Sequence, residues 1–226
     1  MKRIAIFTDI HGNLEALTSI LNDIDKNKYD EIICLGDFVG IGANSKECLE
    51  LLMKRKDIKV LLGNHELYQI KGPYIKEQPE ENRLHAEWIR GNLNDKDMAY
   101  LNSLDLSYEK LIDNNLFTFS HFFIANEKDD YPFLLFENNE ELISKALQYP
   151  SNNIFVGHLH KRIFLKDNKN TSIFALESSG CTLSSQTSYI EVISNGALIV
   201  NTKYVTYDRK LYEKKLGEVP FPYIMM

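Results

Sequence analysis

Three short apolar runs, at residues 4–7, 32–35 and 58–62, are separated by two stretches whose apolar residues recur at helical spacing. Leu14, Leu17, Ile20, Leu21 and Ile24 make the first stripe, over residues 13–24, and Cys48, Leu49, Leu51, Leu52 and Met53 mark the second. A β-α-β-α-β series of this kind folds as a parallel sheet with helices packed on its faces. Each apolar run therefore has a defined carboxyl end, and those ends lie along one rim.

The pattern then changes. From about residue 67 to 106 the sequence is polar and helix-forming, around residues 80–90 and 95–104, which predicts a helical insertion. Strands are expected again at 108–112 and 116–119, hinged on Asp113, Asn114 and Asn115, whose side chains tolerate tight-turn backbone conformations. A helix is expected at 140–147, with Asn138 or Asn139 as its cap. Further strands are expected at 154–156, 163–166, 173–176, 189–193 and 197–205, with turns at 167–170 and 195–196. The stretch 219–226 is apolar enough to pack on the body or on a second subunit, which leaves room for a homo-oligomer.

With 226 residues, 44% of them hydrophobic and 26% charged, the chain can bury one sizeable core, as a single domain over residues 1–226 or two tightly joined halves. A formal charge of −6 argues against a broad basic surface, so duplex nucleic acid is not expected as a partner. No run approaches the ~20 apolar residues of a membrane span, and the first residues carry charges where a signal peptide would be apolar. A cytoplasmic location is the expectation. The three cysteines, Cys34, Cys48 and Cys181, have no C-x-x-C spacing and suggest neither a disulfide framework nor a thiolate zinc site.

The chemistry lies at the strand ends. Asp9 and His11, Gly36-Asp37, Gly63-Asn64-His65-Glu66, Ser120-His121 and Gly157-His158-Leu159-His160 each follow an expected strand. Carboxyl ends of strands share one crevice, so these distant residues converge. A glycine just before a ligand lets the backbone turn sharply and come close to an ion or phosphate. A lone histidine after a strand is usually structural, but only His85 of the six histidines falls outside these segments. His85 reads as a surface or packing residue of the insertion. Imidazoles, carboxylates and one amide, with no thiolate, suit manganese, iron, zinc or nickel better than a soft metal. Two carboxylates, an amide and four imidazoles exceed the needs of one ion, so two divalent ions sharing a carboxylate are expected.

The ordered set Asp-x-His, Gly-Asp, Gly-Asn-His-Glu, His and Gly-His-x-His, running from Asp9 to His160, resembles the calcineurin-like metallophosphoesterases. The resemblance implies a four-layer α/β/β/α sandwich in which the later strands form a second sheet. It implies that Asp9, His11 and His160 hold one ion, that Asn64, His121 and His158 hold the other, and that Asp37 bridges them. It also places His65 beside the metals, to protonate the leaving oxygen or to stabilise the phosphoryl group. The implied reaction is in-line attack by a metal-bridging hydroxide on a small phosphorylated substrate, with manganese the first expectation for the metal.

Within that superfamily the protein serine/threonine phosphatases carry Gly-Asp-x-Val-Asp-Arg-Gly. Residues 38–44 here contain no arginine, which weakens the protein-phosphatase alternative. The stretches at 9–17 and 36–40 look more like the small bacterial phosphodiesterases and dinucleoside-polyphosphate hydrolases, although Glu177-Ser178-Ser179-Gly180-Cys181 departs from their usual Asn-Pro-Gly-Ser. A non-catalytic metal-binding scaffold is the competing class, and none of its usual ligand losses is present. In the insertion, Tyr68, Lys71, Tyr74, Lys76, Arg83, His85, Trp88 and Arg90 could stack on a base and pair with a distal phosphate, with Lys161-Arg162 a second candidate grip, against the simpler reading that they anchor a helix or line a solvated edge.

Overall fold

The computed structural model describes residues 1–72, 79–123, 139–146, 149–167 and 170–223. Its first strand, β1 (Lys2–Phe7), leads through α1 (Leu14–Asn27) to β2 (Glu31–Cys34), and through α2 (Ser45–Lys54) to β3 (Ile58–Val60). β1 pairs with β2 and β2 with β3 in parallel, as the alternation of apolar runs and helical stripes demands. Asn13 starts α1 by accepting from the Ala16 amide, one of the donors a helix start leaves unpaired. The stripe Leu17, Ile20, Leu21 and Ile24 is buried, where it packs with Ala5 and Phe7 of β1 and with Cys48, Leu49 and Leu52 of α2.

Next come α3 (Asn64–Lys71) and, where helices are expected, α4 (Glu80–Asn92) and α5 (Asp95–Asn102). The sequence did not announce α3, which begins on the ligand segment itself. Then follow β4 (Ser107–Ile112), β5 (Asn115–Ser120), α6 (Asn139–Ala146), β6 (Asn153–Val156), β7 (Ile163–Lys166), β8 (Ser172–Ala175), β9 (Gln186–Ser194), β10 (Leu198–Thr206) and α7 (Arg209–Leu216). The β4–β5 hairpin turns on Asp113 and Asn114, both with positive φ. Asn139 is inside α6 and so does not cap it, while Asn138 lies outside the described residues, as do 168–169 of the expected 167–170 turn and 224–226 of the apolar tail.

The two sheets run β10-β9-β1-β2-β3 and β4-β5-β6-β8-β7. Three apolar interfaces follow, one between each pair of neighbouring layers. α1 and α2 cover one face of β1; Ile4, Ile6, Ile33 and Leu35 face Phe117, Phe119 and Phe155 of the second sheet; Ile154, Val156 and Ile173 turn outward to the side of Ala146 and Ile143 on α6. This is the α/β/β/α sandwich, with one correction to the expectation. The later strands do not all join the second sheet: β9 returns to pair antiparallel with β1, and β10 with β9. Ile190 and Val192 of β9 are buried against the second sheet beside Ile4 and Ile6, an interface a strand outside the first sheet could not supply.

Phe117, Phe155, Phe174 and Phe164 cross the second sheet as a ladder of near-parallel rings, with Phe155 and Phe174 4.6 Å apart at 9°. Phe155 is fully buried between the sheets. Phe155→Ala is expected to cost ~3–5 kcal/mol of unfolding free energy, read as a lower urea midpoint with an unchanged slope.

Candidate metal centre

The ends of β1, β2 and β6 deliver their side chains on a sharply turned backbone. Asp9, His11, Asp37, His158 and His160 all have φ between 49° and 66°, the left-handed region that non-glycine residues seldom occupy. Backbone hydrogen bonds hold these loops there: the Asp9 amide donates to Gly36 O (3.0 Å), the His11 amide to Asp37 O (2.8 Å) and the Gly157 amide to His121 O (2.9 Å). Two of the glycines ahead of ligands are required by close approach. A Cβ on Gly63 would stand 2.1 Å from Asp37 Oδ1, and one on Gly157 would stand 2.2 Å from Thr8 Oγ1 and 2.7 Å from Asp9 Oδ2.

The expected ligands form two adjoining groups. In one, His11 Nε2 faces His160 Nε2 at 2.9 Å, and Asp9 Oδ1 lies 3.1 Å from His160 Nε2 and 3.6 Å from His11 Nε2. In the other, Asn64 Oδ1 lies 2.8 Å from His158 Nδ1 and 3.2 Å from His121 Nε2. Asp37 stands between them, its Oδ2 3.1 Å from His121 Nε2 and 3.9 Å from His11 Nε2. All but His158 and His160 are buried, and those two are half-buried.

Ring nitrogens and carboxylate oxygens that converge this closely repel one another unless protons or cations lie among them. Asp9 Oδ1 is buried without a hydrogen-bond partner in the first group, as are His11 Nδ1 and His121 Nδ1, the ring nitrogens that do not take part in the converging contacts. Three triads, His11/His160/Cys181, His11/Asp37/His65 and Asp37/His121/His158, have ligand atoms within 4.8 Å of one another. The donor set, its geometry and the orphaned Asp9 Oδ1 fit divalent cations.

Burial alone would raise Asp37 and Asp9, but the neighbouring imidazoles, His121 foremost, hold both carboxyls well below the usual range. Burial pulls His121 down, yet the carboxylates of Asp37 and Asp9 outweigh it and hold it up at about 9. Burial pushes His65 down to about 3, against the pull of Asp37, and His158 down to about 4. His65 is therefore a neutral imidazole near neutral pH.

Sequence reasoning missed three neighbours. Glu66 is fully buried and binds three backbone amides, Asp37 N (2.7 Å) and Gly63 N (2.8 Å) through Oε2 and Val39 N (3.0 Å) through Oε1. It ties the Asp37 loop to the start of α3; its place beside His65 was the available signal. Cys181 comes near His11 and His160, and Tyr223 packs on His65, by long-range folding that no local pattern encodes. Of the insertion residues, His85 and Tyr68 are buried, Trp88 packs on His85, and Arg83 pairs with Glu80 and Glu87. Tyr74 and Lys76 lie outside the described residues. Arg162 is turned to Glu177 and to Tyr204, and Lys161 is exposed.

A family model for calcineurin-like phosphoesterases matches residues 2–180. The chain belongs to this family, whose members depend on metal. Its fold is shared by a metallophosphoesterase from Sphaerobacter thermophilus, with a TM-score of 0.77 and 23% identity over 98% of this chain and 95% of that one. Among sequence relatives, an uncharacterized protein of Methanocaldococcus jannaschii is 34% identical over 70% of this chain and 62% of its own length. A symmetrical bis(5'-nucleosyl)-tetraphosphatase of Wigglesworthia glossinidia brevipalpis is 39% identical over 34% of this chain and 29% of its own. The chain thus spans less than two thirds of either relative. Among the described residues no helix is long and apolar enough to cross a membrane.

Proposed function

We propose that this chain is a hydrolase of phosphoric esters or anhydrides that works with two divalent ions, manganese first, on a small phosphorylated substrate such as a nucleotide. Asp9, His11 and His160 would hold one ion and Asn64, His121 and His158 the other, with Asp37 shared. The observation that carries this reading is the pair of facing contacts, His11 Nε2 to His160 Nε2 and His158 Nδ1 to Asn64 Oδ1, with Asp37 between them. When bound, two cations acidify a water toward neutrality and offset the charge on phosphoryl oxygens. Residues 1–226 are read as one domain, supported by the return of β9 and β10 to the sheet of β1.

The protein supplies the rest. Asp37 and Asp9, whose carboxyls are held well below the usual range, would provide the negative charge that two cations need. The neutral state of His65 favours one of its two candidate roles: an N–H that donates to a phosphoryl oxygen, not an imidazolium that protonates the leaving group. The tetraphosphatase relative supports a nucleotide substrate, and the absence of arginine from residues 38–44 counts against a protein phosphatase.

Chelation is expected to abolish turnover reversibly, with Mn²⁺ restoring it best. The measurement is hydrolysis of para-nitrophenyl phosphate, its bis ester, cyclic nucleotides and diadenosine tetraphosphate, before and after metal is returned. Hydrolysis by the stripped protein would refute metal dependence, and none by the Mn²⁺-loaded protein would favour a scaffold.

A further inference from the structure

After α7 the chain crosses back to the metal centre. α7 is fixed to α1 through Tyr212 and Leu216 against Ala16, and through the Lys215–Glu15 ion pair. Beyond it the chain contains Pro220 and Pro222, which restrict the backbone, and reaches α4, where Phe221 O accepts a hydrogen bond from His85 Nδ1 at 2.5 Å. This anchor sets Tyr223 between two imidazoles. Its ring centroid is 5.6 Å from that of His65 and 5.7 Å from that of His85. Tyr223 is half-buried, and among the described residues its hydroxyl has no hydrogen-bond partner.

A phosphoryl group entering this centre needs donors for its oxygens, and no free arginine adjoins the Asp37 loop or the His158–His160 segment in the sequence. Residues 38–44 contain none, and Arg162, next but one after His160, is engaged by Glu177 and Tyr204. We propose that Tyr223 contacts the substrate, its phenol donating a hydrogen bond to a phosphoryl oxygen beside His65 in place of an arginine. Burial, with the nearby charge of Asp37, pushes the phenol up to about 12. The inference rests on the phosphoesterase reading above and adds a residue that follows the 2–180 match to the family.

The test compares the full-length wild type with Tyr223→Phe and Tyr223→Ala, all loaded with Mn²⁺. Bound metal, the emission of Trp88 next to His85, steady-state constants on bis(para-nitrophenyl) phosphate and the affinity for inorganic phosphate are measured. Tyr223→Phe keeps the ring and removes only the donor. It is expected to lose about tenfold or more in kcat/KM and in phosphate affinity, with metal content and Trp88 emission unchanged, and to match Tyr223→Ala closely. A phenylalanine variant within about twofold of wild type on both measures would make the ring simple packing and overturn the proposal. So would a loss of metal from that variant. If the wild type hydrolyses no ester, the phosphoesterase reading fails separately, and phosphate affinity still decides: equal binding by wild type and Tyr223→Phe overturns the donor, and weaker binding by the variant upholds it.

Discussion

Asp37→Asn is expected to lose bound metal and activity together, by ~100-fold or more in turnover at limiting metal. Asp37 Oδ2 lies 3.1 Å from His121 Nε2 and 3.9 Å from His11 Nε2, so one carboxylate serves both ligand groups. The amide keeps the shape, and its Oδ1 can still accept from the His65 amide, which the carboxylate does at 2.8 Å. What it removes is the charge. Two cations brought close together repel, and the shared anion is what offsets that repulsion. Metal content by emission spectroscopy and turnover across an Mn²⁺ titration are the measurements. Full occupancy with wild-type turnover would sink the dinuclear assignment.

His65→Ala separates catalysis from metal binding. Metal content should stay near wild type while kcat falls ~10²- to 10³-fold, the usual cost of losing one preorganised donor at a developing negative charge. The two roles left open by the sequence differ in their dependence on the leaving group. An acid matters most for a poor alkoxide leaving group and least for para-nitrophenolate, whose charge is already delocalised. A donor to the phosphoryl oxygens matters about equally for both. Because burial holds His65 near 3, and bound cations could only lower it further, equal losses are expected on natural nucleotides and aryl esters. A loss confined to the natural nucleotides would restore the acid, and lost metal would make His65 a ligand, as its place in a triad with His11 and Asp37 allows.

Much of this site was legible because its residues sit where local pattern and topology agree. A strand, then glycine or a sharp turn, then a ligand, repeated along the chain, is a local signal for a shared rim. The families of contacts around Asp9 and Asn64 follow once the strands align. The return of β9 and β10 was not legible, since their apolar runs fit either sheet equally well and only packing against Ile4 and Ile6 decides. α7 was missed although Asp208 caps it and accepts from the Leu211 amide, because Tyr212 and Leu216 give too short an apolar stripe to stand out. Tyr223 was visible only as part of an apolar stretch, its place beside His65 being set by an anchor on His85 more than a hundred residues earlier.

Five of the proposed ligand residues are held at positive φ, so the polypeptide stores conformational energy at the proposed metal centre, on the order of 1 kcal/mol or more at each such position. Selection for heat resistance of the metal-free protein would therefore favour glycine or asparagine at Asp9, His11, Asp37, His158 and His160 and erase the centre while improving the fold. Laboratory evolution of this scaffold needs the ion present at every round, so that stabilisation by the bound ligand offsets the strain and keeps those side chains in the surviving population.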